Sequence, residues 1–244
     1  MTATIRTTTW NEIQTLHAAI DRSVGEATNM TDAAQAFAAA FASAFETVVL
    51  ARVFFVLPMS ALSAPERAAA HAAAKATGRT VADATPVLVL AGTAGREPAW
   101  NDRTRSQNHR AIPLVDPELV HGAPMIAELL ASLSVELVGI SRDAPAQLRA
   151  LSGGLNARFY VPNARTTLDR HGRHVIAARD FVDRYAIETV FGMGGRYAGG
   201  ALVAAIVFTT EPLAARDVDL FPSFIGTFKI TTAALAETEH WFVD

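Results

Sequence analysis

From Trp10 to Val24 the positions Trp10, Ile13, His17, Ile20 and Val24 follow one another at alternating steps of three and four. That spacing gathers side chains on one face, so an amphipathic helix is expected over residues 8–24, capped by Thr8 or Thr9. A second helix is expected after Thr31, with Phe37, Phe41 and Phe45 at i, i+4 and i+8. Val48–Leu57 is rich in valine and phenylalanine and ends at Pro58, the pattern of a buried strand. Ser63-Ala64-Pro65-Glu66 reads as a helix start, with Ser63 as cap and a proline in the first turn. The alanine-rich helix it opens is expected to run to about Thr77, where Gly78 stops it.

Pro86–Ala91 is a second strand candidate and runs into a long polar connection, Gly92–Arg110. Asp116–Leu133 has a helical pattern interrupted at Gly122 and Pro124, Val135–Ile140 a strand pattern, and Asp143–Leu151 that of a short helix stopped at Gly153-Gly154. Strands are expected at Ala157–Val161, Glu188–Met193 and Ala201–Thr210, the last two joined as an antiparallel hairpin by Gly194–Gly200. A closing helix is expected over Pro222–Trp241, where Phe221, Phe228, Leu235 and Phe242 recur every seven residues. No repeat or linker interrupts the order. The expected architecture is therefore one α/β (α+β) domain over residues 1–244, with a central antiparallel sheet flanked by helices and long helices at both ends.

Composition narrows the function classes. Of 244 residues half are hydrophobic and 18% charged, far from the disordered regime. A net charge of −3 and a pI near 6.2 give no general pull toward nucleic acid or anionic membrane, so neither is expected as a partner. The absence of cysteine removes thiol nucleophiles, disulfides, iron–sulfur clusters and thiolate-held zinc. The N-terminus lacks the apolar core of a signal peptide, and the run Ala201–Phe208 is far short of a membrane span. The chain reads as soluble and cytoplasmic.

The stretch Phe159–Leu213 carries Val161-Pro162-Asn163-Ala164, then Ala177-Ala178-Arg179-Asp180-Phe181-Val182 leading into Tyr185-Ala186-Ile187. Val190-Phe191-Gly192-Met193-Gly194-Gly195, Gly200–Phe208 and Glu211-Pro212-Leu213 follow. Upstream stand Glu97-Pro98-Ala99-Trp100-Asn101-Asp102-Arg103, Ala111-Ile112-Pro113-Leu114 and Ala123-Pro124-Met125-Ile126-Ala127. In order and spacing, over roughly residues 35–215, this resembles the GAF-like sensory segment found N-terminal to PAS and histidine-kinase regions in bacterial signalling proteins. The resemblance implies a small-molecule pocket on one sheet face and a homodimer formed through terminal helices. No output region follows before Asp244, a departure from that family, so the expectation is a stand-alone sensor acting through a separate signalling partner, or another role for the same fold.

Candidate chemistry concentrates in the polar connection, where Arg103, Arg105, His109 and Arg110 accompany Trp100. Arginine forks match carboxylates and planar groups stack on tryptophan, which suits an anionic or planar ligand. A solvated loop with Asp102 and Arg103 as turn and ion-pair residues is the alternative. With Phe159 at the head of the family-like region, the candidate ligand-binding set is Trp100, Asn101, Arg103, His109, Arg110 and Phe159. The glycines Gly192, Gly194 and Gly195 do not form a dinucleotide loop, because Tyr197 occupies the position of the last glycine and a strand pattern follows. His171 and His174 lie three apart among Arg165, Arg170, Arg173 and Arg179, whose charge opposes a cation, so no metal site is expected. His17 and His71 read as packing histidines rather than haem ligands, and the phenylalanines of the second helix as core.

No nucleophile elbow, phosphate loop, zinc-protease or kinase motif is present, which favours a ligand-responsive module over an enzyme and assigns no catalytic residue. The expected function is a sensor or regulatory protein that binds a small ligand between sheet and loop. The alternatives are an enzyme or ligand carrier acting on a small anionic molecule, and an interaction scaffold. The sequence names no cofactor. Heptad-like spacing at both ends fits either helices that cover their own sheet or a helical bundle between two subunits, and the resemblance implies the bundle.

Overall fold

The apolar run at Val48 forms the strand around which the rest is arranged. In the computed structural model, which describes residues 3–106, 109–115, 124–132 and 157–242, β1 (Val48–Pro58) pairs antiparallel with β2 (Pro86–Gly95) and with β6 (Leu202–Thr209). The short strand β3 (Ala111–Pro113) extends the sheet beyond β2, and β5 (Thr189–Arg196) and β4 (Ala157–Val161) extend it beyond β6. The order is β3-β2-β1-β6-β5-β4, and every pairing is antiparallel. The expected fold class holds.

Both faces of the sheet are covered, which is why β1, β2 and β6 read as continuous rather than alternating apolar runs. Ala51, Val53, Phe55 and Leu57 point to one face, where α1 (Trp10–Gly25), α2 (Met30–Ala44) and α7 (Pro222–Thr231) pack. The rings of Phe37, Phe41 and Phe45 meet Phe221, Phe224 and Phe228 there as core, as expected. Leu50, Phe54 and Val56 point to the other face, with Phe159, Ile187 and the apolar residues of α4 (Pro124–Ser132) and α5 (Arg179–Arg184).

Boundaries moved where side chains supplied hydrogen bonds that periodicity does not reveal. Thr9 caps α1 through a reciprocal bond with Glu12, while Trp10 turns to solvent and Leu16 takes a place in the seam. The second helix starts at Met30, capped by Asn29, ahead of the expected start. Its N-terminal N–H groups of Met30 and Thr31 are taken up by the carbonyls of His240 and Trp241. The α3 helix (Ala64–Ala76) follows the expected span. Gly92, expected to open the loop, lies inside β2 beside a register shift in the β1–β2 pairing. There Gln35 bonds both the carbonyl (2.8 Å) and the N–H (3.1 Å) of Thr93, so the strand continues to Gly95. A Cβ on Gly92 would stand 2.2 Å from the Ala34 carbonyl oxygen, so α2 crosses the sheet in direct backbone contact.

The hairpin of β5 and β6 is as expected, with Gly194 and Gly195 inside the strand rather than in the turn. After the short helix α6 (Ala215–Val218), the helix expected over Pro222–Trp241 is two: α7 ends at Thr231 and α8 covers Ala233–Glu237. Thr231 and Thr232 both bond back to the carbonyl four residues earlier, which bends a helix, and the Thr232 hydroxyl also meets Tyr197 at 2.7 Å. The segments expected at Val135–Ile140 and Asp143–Leu151, and Asp116–Gly122 of the interrupted helix, lie outside the described residues.

Candidate functional site

The connection after β2 is held in place by charge and by aromatic rings. Two short turns of 3-10 helix, Pro98–Asn101 and Arg103–Arg105, shape it. Asn101 accepts the Gly95 N–H at 2.8 Å, and Asp102 caps the second turn by accepting from the Thr104 N–H. Glu66 of α3 is only 1% exposed and receives Arg103 at 2.7 Å and Arg110 at 3.1 Å, together with the Ser63 hydroxyl. Burial alone would raise the Glu66 carboxyl. The two guanidinium groups outweigh it and hold the carboxyl below its ordinary value. Trp100 stacks edge-on against Tyr185 and Phe181, and Tyr185 donates to Glu97 at 2.9 Å.

Between this connection and the sheet lies a cavity of about 230 Å³. Leu50 and Arg52 of β1 and Phe208 of β6 form its floor, Trp100 and His109 one wall, and Met125 and Ile126 of α4 another. The segment Val175–Ala178 and Phe181 of α5 close it. Arg52 stands midway along β1, opposite Thr93 and Ile206, on the face of Leu50 and Phe54. Its Nε is shut off from solvent and has no hydrogen-bond partner among the described residues. Burial lowers the proton affinity of its guanidinium. Burial, and then the charge of Arg52, push the His109 imidazole below its ordinary value, so it is neutral at pH 7.

The six residues singled out from the sequence are thus divided by the structure. Trp100 and His109 line the cavity. Arg103 and Arg110 face Glu66, and Arg103 also lies 5.7 Å over the Phe242 ring. Asn101 is spent on the Gly95 backbone, and Phe159 is buried in the hydrophobic cluster of the same sheet face. Sequence reasoning missed Arg52 and Glu66. The signal for Arg52 was visible, since it is the one charge in the run Val48–Leu57.

A second cavity, of about 720 Å³, opens where the β5–β6 hairpin meets α7 and α8. Lys229 and Arg196 line it, but so do Glu237 and Glu239, so opposite charges already face each other there. Among the described residues, the histidines outside the first cavity pack against neighbours or lie at the surface. His17 stacks on Phe224 at 3.7 Å and bonds Ser223 and Thr227, and His71, His171 and His174 are exposed. Among the described residues no three His, Asp or Glu side chains group as a metal site, and no helix is long and apolar enough to cross a membrane.

No family model matches the sequence, and no curated protein does. Solved structures match at the level of fold. The phycocyanobilin-bound GAF domain from a cyanobacterial phytochrome aligns over 96% of this chain and 100% of its own, with a TM-score of 0.50 and 8% identity. The phycoerythrobilin-bound GAF domain from a cyanobacterial phytochrome aligns over the same shares at a TM-score of 0.49 and 8% identity. The free methionine-R-sulfoxide reductase from Neisseria meningitidis, in complex with its substrate, aligns over 98% and 99% at a TM-score of 0.48 and 11% identity. The chain has a GAF-like fold.

Proposed function

We propose that this chain is a GAF-like sensor or regulatory protein, one domain over residues 1–244, whose small ligand binds between the sheet and the connection after β2. The observation that carries this is the cavity of about 230 Å³ on the sheet face, apolar on most sides and holding a half-buried guanidinium and a neutral imidazole. Concave, mostly apolar space with few convergent polar groups is the usual form of a ligand site. The phytochrome GAF domain whose fold this chain shares carries phycocyanobilin. Here Trp100 and His109 are the contacting residues, and Arg103 and Arg110 act at one remove, by fixing the connection on Glu66.

A ligand controls a protein only if it binds two conformations with different affinity. The elements that would move are those closing the cavity, and in this proposal the response passes to the terminal helices. Those helices join two cytoplasmic subunits and present a surface to a separate signalling partner. Trp10 of α1 and Ile230 of α7, 64% and 80% exposed, are apolar side chains such a bundle would cover.

A native mass spectrum and an absorbance spectrum of freshly purified protein, followed by thermal-shift screening of small molecules, test the proposal. A ligand at a hundredfold excess over its Kd adds about 2.7 kcal/mol of stability. Hydrogen exchange in α1 and α7, and the oligomeric state, should then differ between free and bound protein. A bound ligand that changes neither would refute the relay, and a cavity that accepts no small molecule would refute the sensor.

A further inference from the structure

Arg52 occupies a position where a charged side chain is costly. The strand around it is Val48-Val49-Leu50-Ala51 on one side and Val53-Phe54-Phe55-Val56-Leu57 on the other, and its cross-strand neighbours are Thr93 and Ile206. Arg52 keeps part of its surface accessible, but its guanidinium is largely desolvated, and a cation so placed gains from a counter-charge. The buried acid of α3 does not serve it: Glu66 binds Arg103 and Arg110. His109, beside Arg52 in the cavity wall, is neutral and supplies no negative charge. The Nε of Arg52 is sealed from solvent without a partner among the described residues.

We propose that the cavity takes a small, flat, singly charged organic acid, its carboxylate held by the Arg52 guanidinium and its apolar body lying against Trp100, Phe181 and Phe208. This deepens the reading of the cavity as a ligand site and rests on it. One cation calls for one negative charge, which favours a carboxylate over a phosphate dianion. The guanidinium fork matches the two oxygens of a carboxylate in its own plane. A volume of about 230 Å³ falls below the range of roughly 300–1,000 Å³ usual for drug-sized ligands, so the guest is one or two rings rather than a long chain. Trp100 and Phe181 are set edge to face 5.6 Å apart, and Phe181 and Phe208 likewise at 5.4 Å, so ring surfaces line the path inward from the connection.

Three probes that share one ring system and differ only in charge separate the possibilities: 2-naphthoate, 2-naphthamide and 2-naphthylmethylammonium, titrated by calorimetry into the full chain. The expected result is that naphthoate binds roughly tenfold or more tighter than the amide, and that the ammonium does not bind. Arg52→Met should remove that preference, leaving amide binding within about twofold of wild type. It should also raise the melting temperature of the unliganded protein, because it replaces a largely desolvated cation by an unbranched apolar chain. If Arg52→Met does not fold, Arg52→Lys keeps the charge but loses the fork, and should still weaken naphthoate selectively. Equal affinity of wild type for naphthoate and naphthamide would overturn the assignment of ligand class while leaving the cavity a binding site. A lower melting temperature for unliganded Arg52→Met would overturn it as well, since Arg52 would then be serving the fold. Failure of all three probes together would overturn it and remove support from the cavity itself.

Discussion

Removing the charge of Glu66 should loosen the wall of the cavity without touching the cavity. Glu66→Gln keeps the shape of the side chain but leaves Arg103 and Arg110 facing a neutral amide at 2.7 and 3.1 Å. Breaking a buried ion pair by deleting one partner costs about 3–5 kcal/mol. The carboxylate is 1% exposed but the arginines keep 19% and 25% of their surface, so part of their charge stays hydrated. The lower end, about 3 kcal/mol, is therefore expected. For a chain of this size that lowers the melting temperature by about 6–12 °C. The pH dependence gives a second readout. Because the folded-state carboxyl lies below its ordinary value of 4.5, its stabilising contribution is complete above that pH and is lost as pH falls through the lower, folded value. The gap between wild type and Glu66→Gln, followed by urea denaturation from pH 7 downward, should stay constant to about pH 5 and then close. A gap below about 1 kcal/mol at pH 7 would place the pair among surface ion pairs and refute the reasoning. So would a gap that does not shrink in acid.

Gly92→Ala puts a methyl group 2.2 Å from the Ala34 carbonyl, against backbone that cannot swing aside, so α2 must shift. A loss of about 1–3 kcal/mol is expected in urea denaturation, and an unchanged midpoint would show that the helix yields freely. Asp169 accepts the N–H groups of His171 and Arg173 and the Arg173 guanidinium; burial opposes ionisation, but these bonds prevail and hold the carboxyl at about 2. A carbon-detected NMR titration of Asp169 should show its midpoint there, with the turn stable above pH 3.8 and released as pH falls through about 2, whereas a midpoint at 3.8 or above would refute the bonding.

The sheet was legible because both its faces are buried and its strands therefore appear as unbroken apolar runs. Val48–Leu57 and Ala157–Val161 could be delimited almost to the residue. The helix faces were legible from spacing, though Trp10 and Leu16 exchange places, since periodicity gives a direction but not which edge of the stripe meets the sheet. What could not be read was anything set by a side chain reaching far along the chain. Gln35 extends β2 from 58 residues away, and the bend at Thr232 is shared with Tyr197, 35 residues earlier. The candidate site was half legible for the same reason. Trp100 and His109 were found because a long polar connection gathers them, but that composition cannot separate residues that face the cavity from those that fasten the connection. Arg52 was passed over because every other position of its strand marks core, although a lone charge in such a run is itself the signal.

The arginines of this face separate structure from function by what each one touches. Arg103 and Arg110 share one carboxylate and hold the connection against α3; the Nε of Arg110, like that of Arg52, is buried without a partner among the described residues, but its charge is met by Glu66. Arg52 projects from the middle of the sheet into an apolar space whose other polar group, His109, is uncharged. A fold needs no cation at that position, and sheet strands of this kind are more stable with an aliphatic residue there. Retaining a desolvated, incompletely bonded guanidinium makes physical sense if the missing partner arrives from outside. In that case the free protein carries a destabilised centre beneath the same connection that Glu66 fastens, and an anion entering the cavity relieves it. Ligand binding and the order of the wall would then be coupled through one side chain, which is the differential stability that a sensor requires.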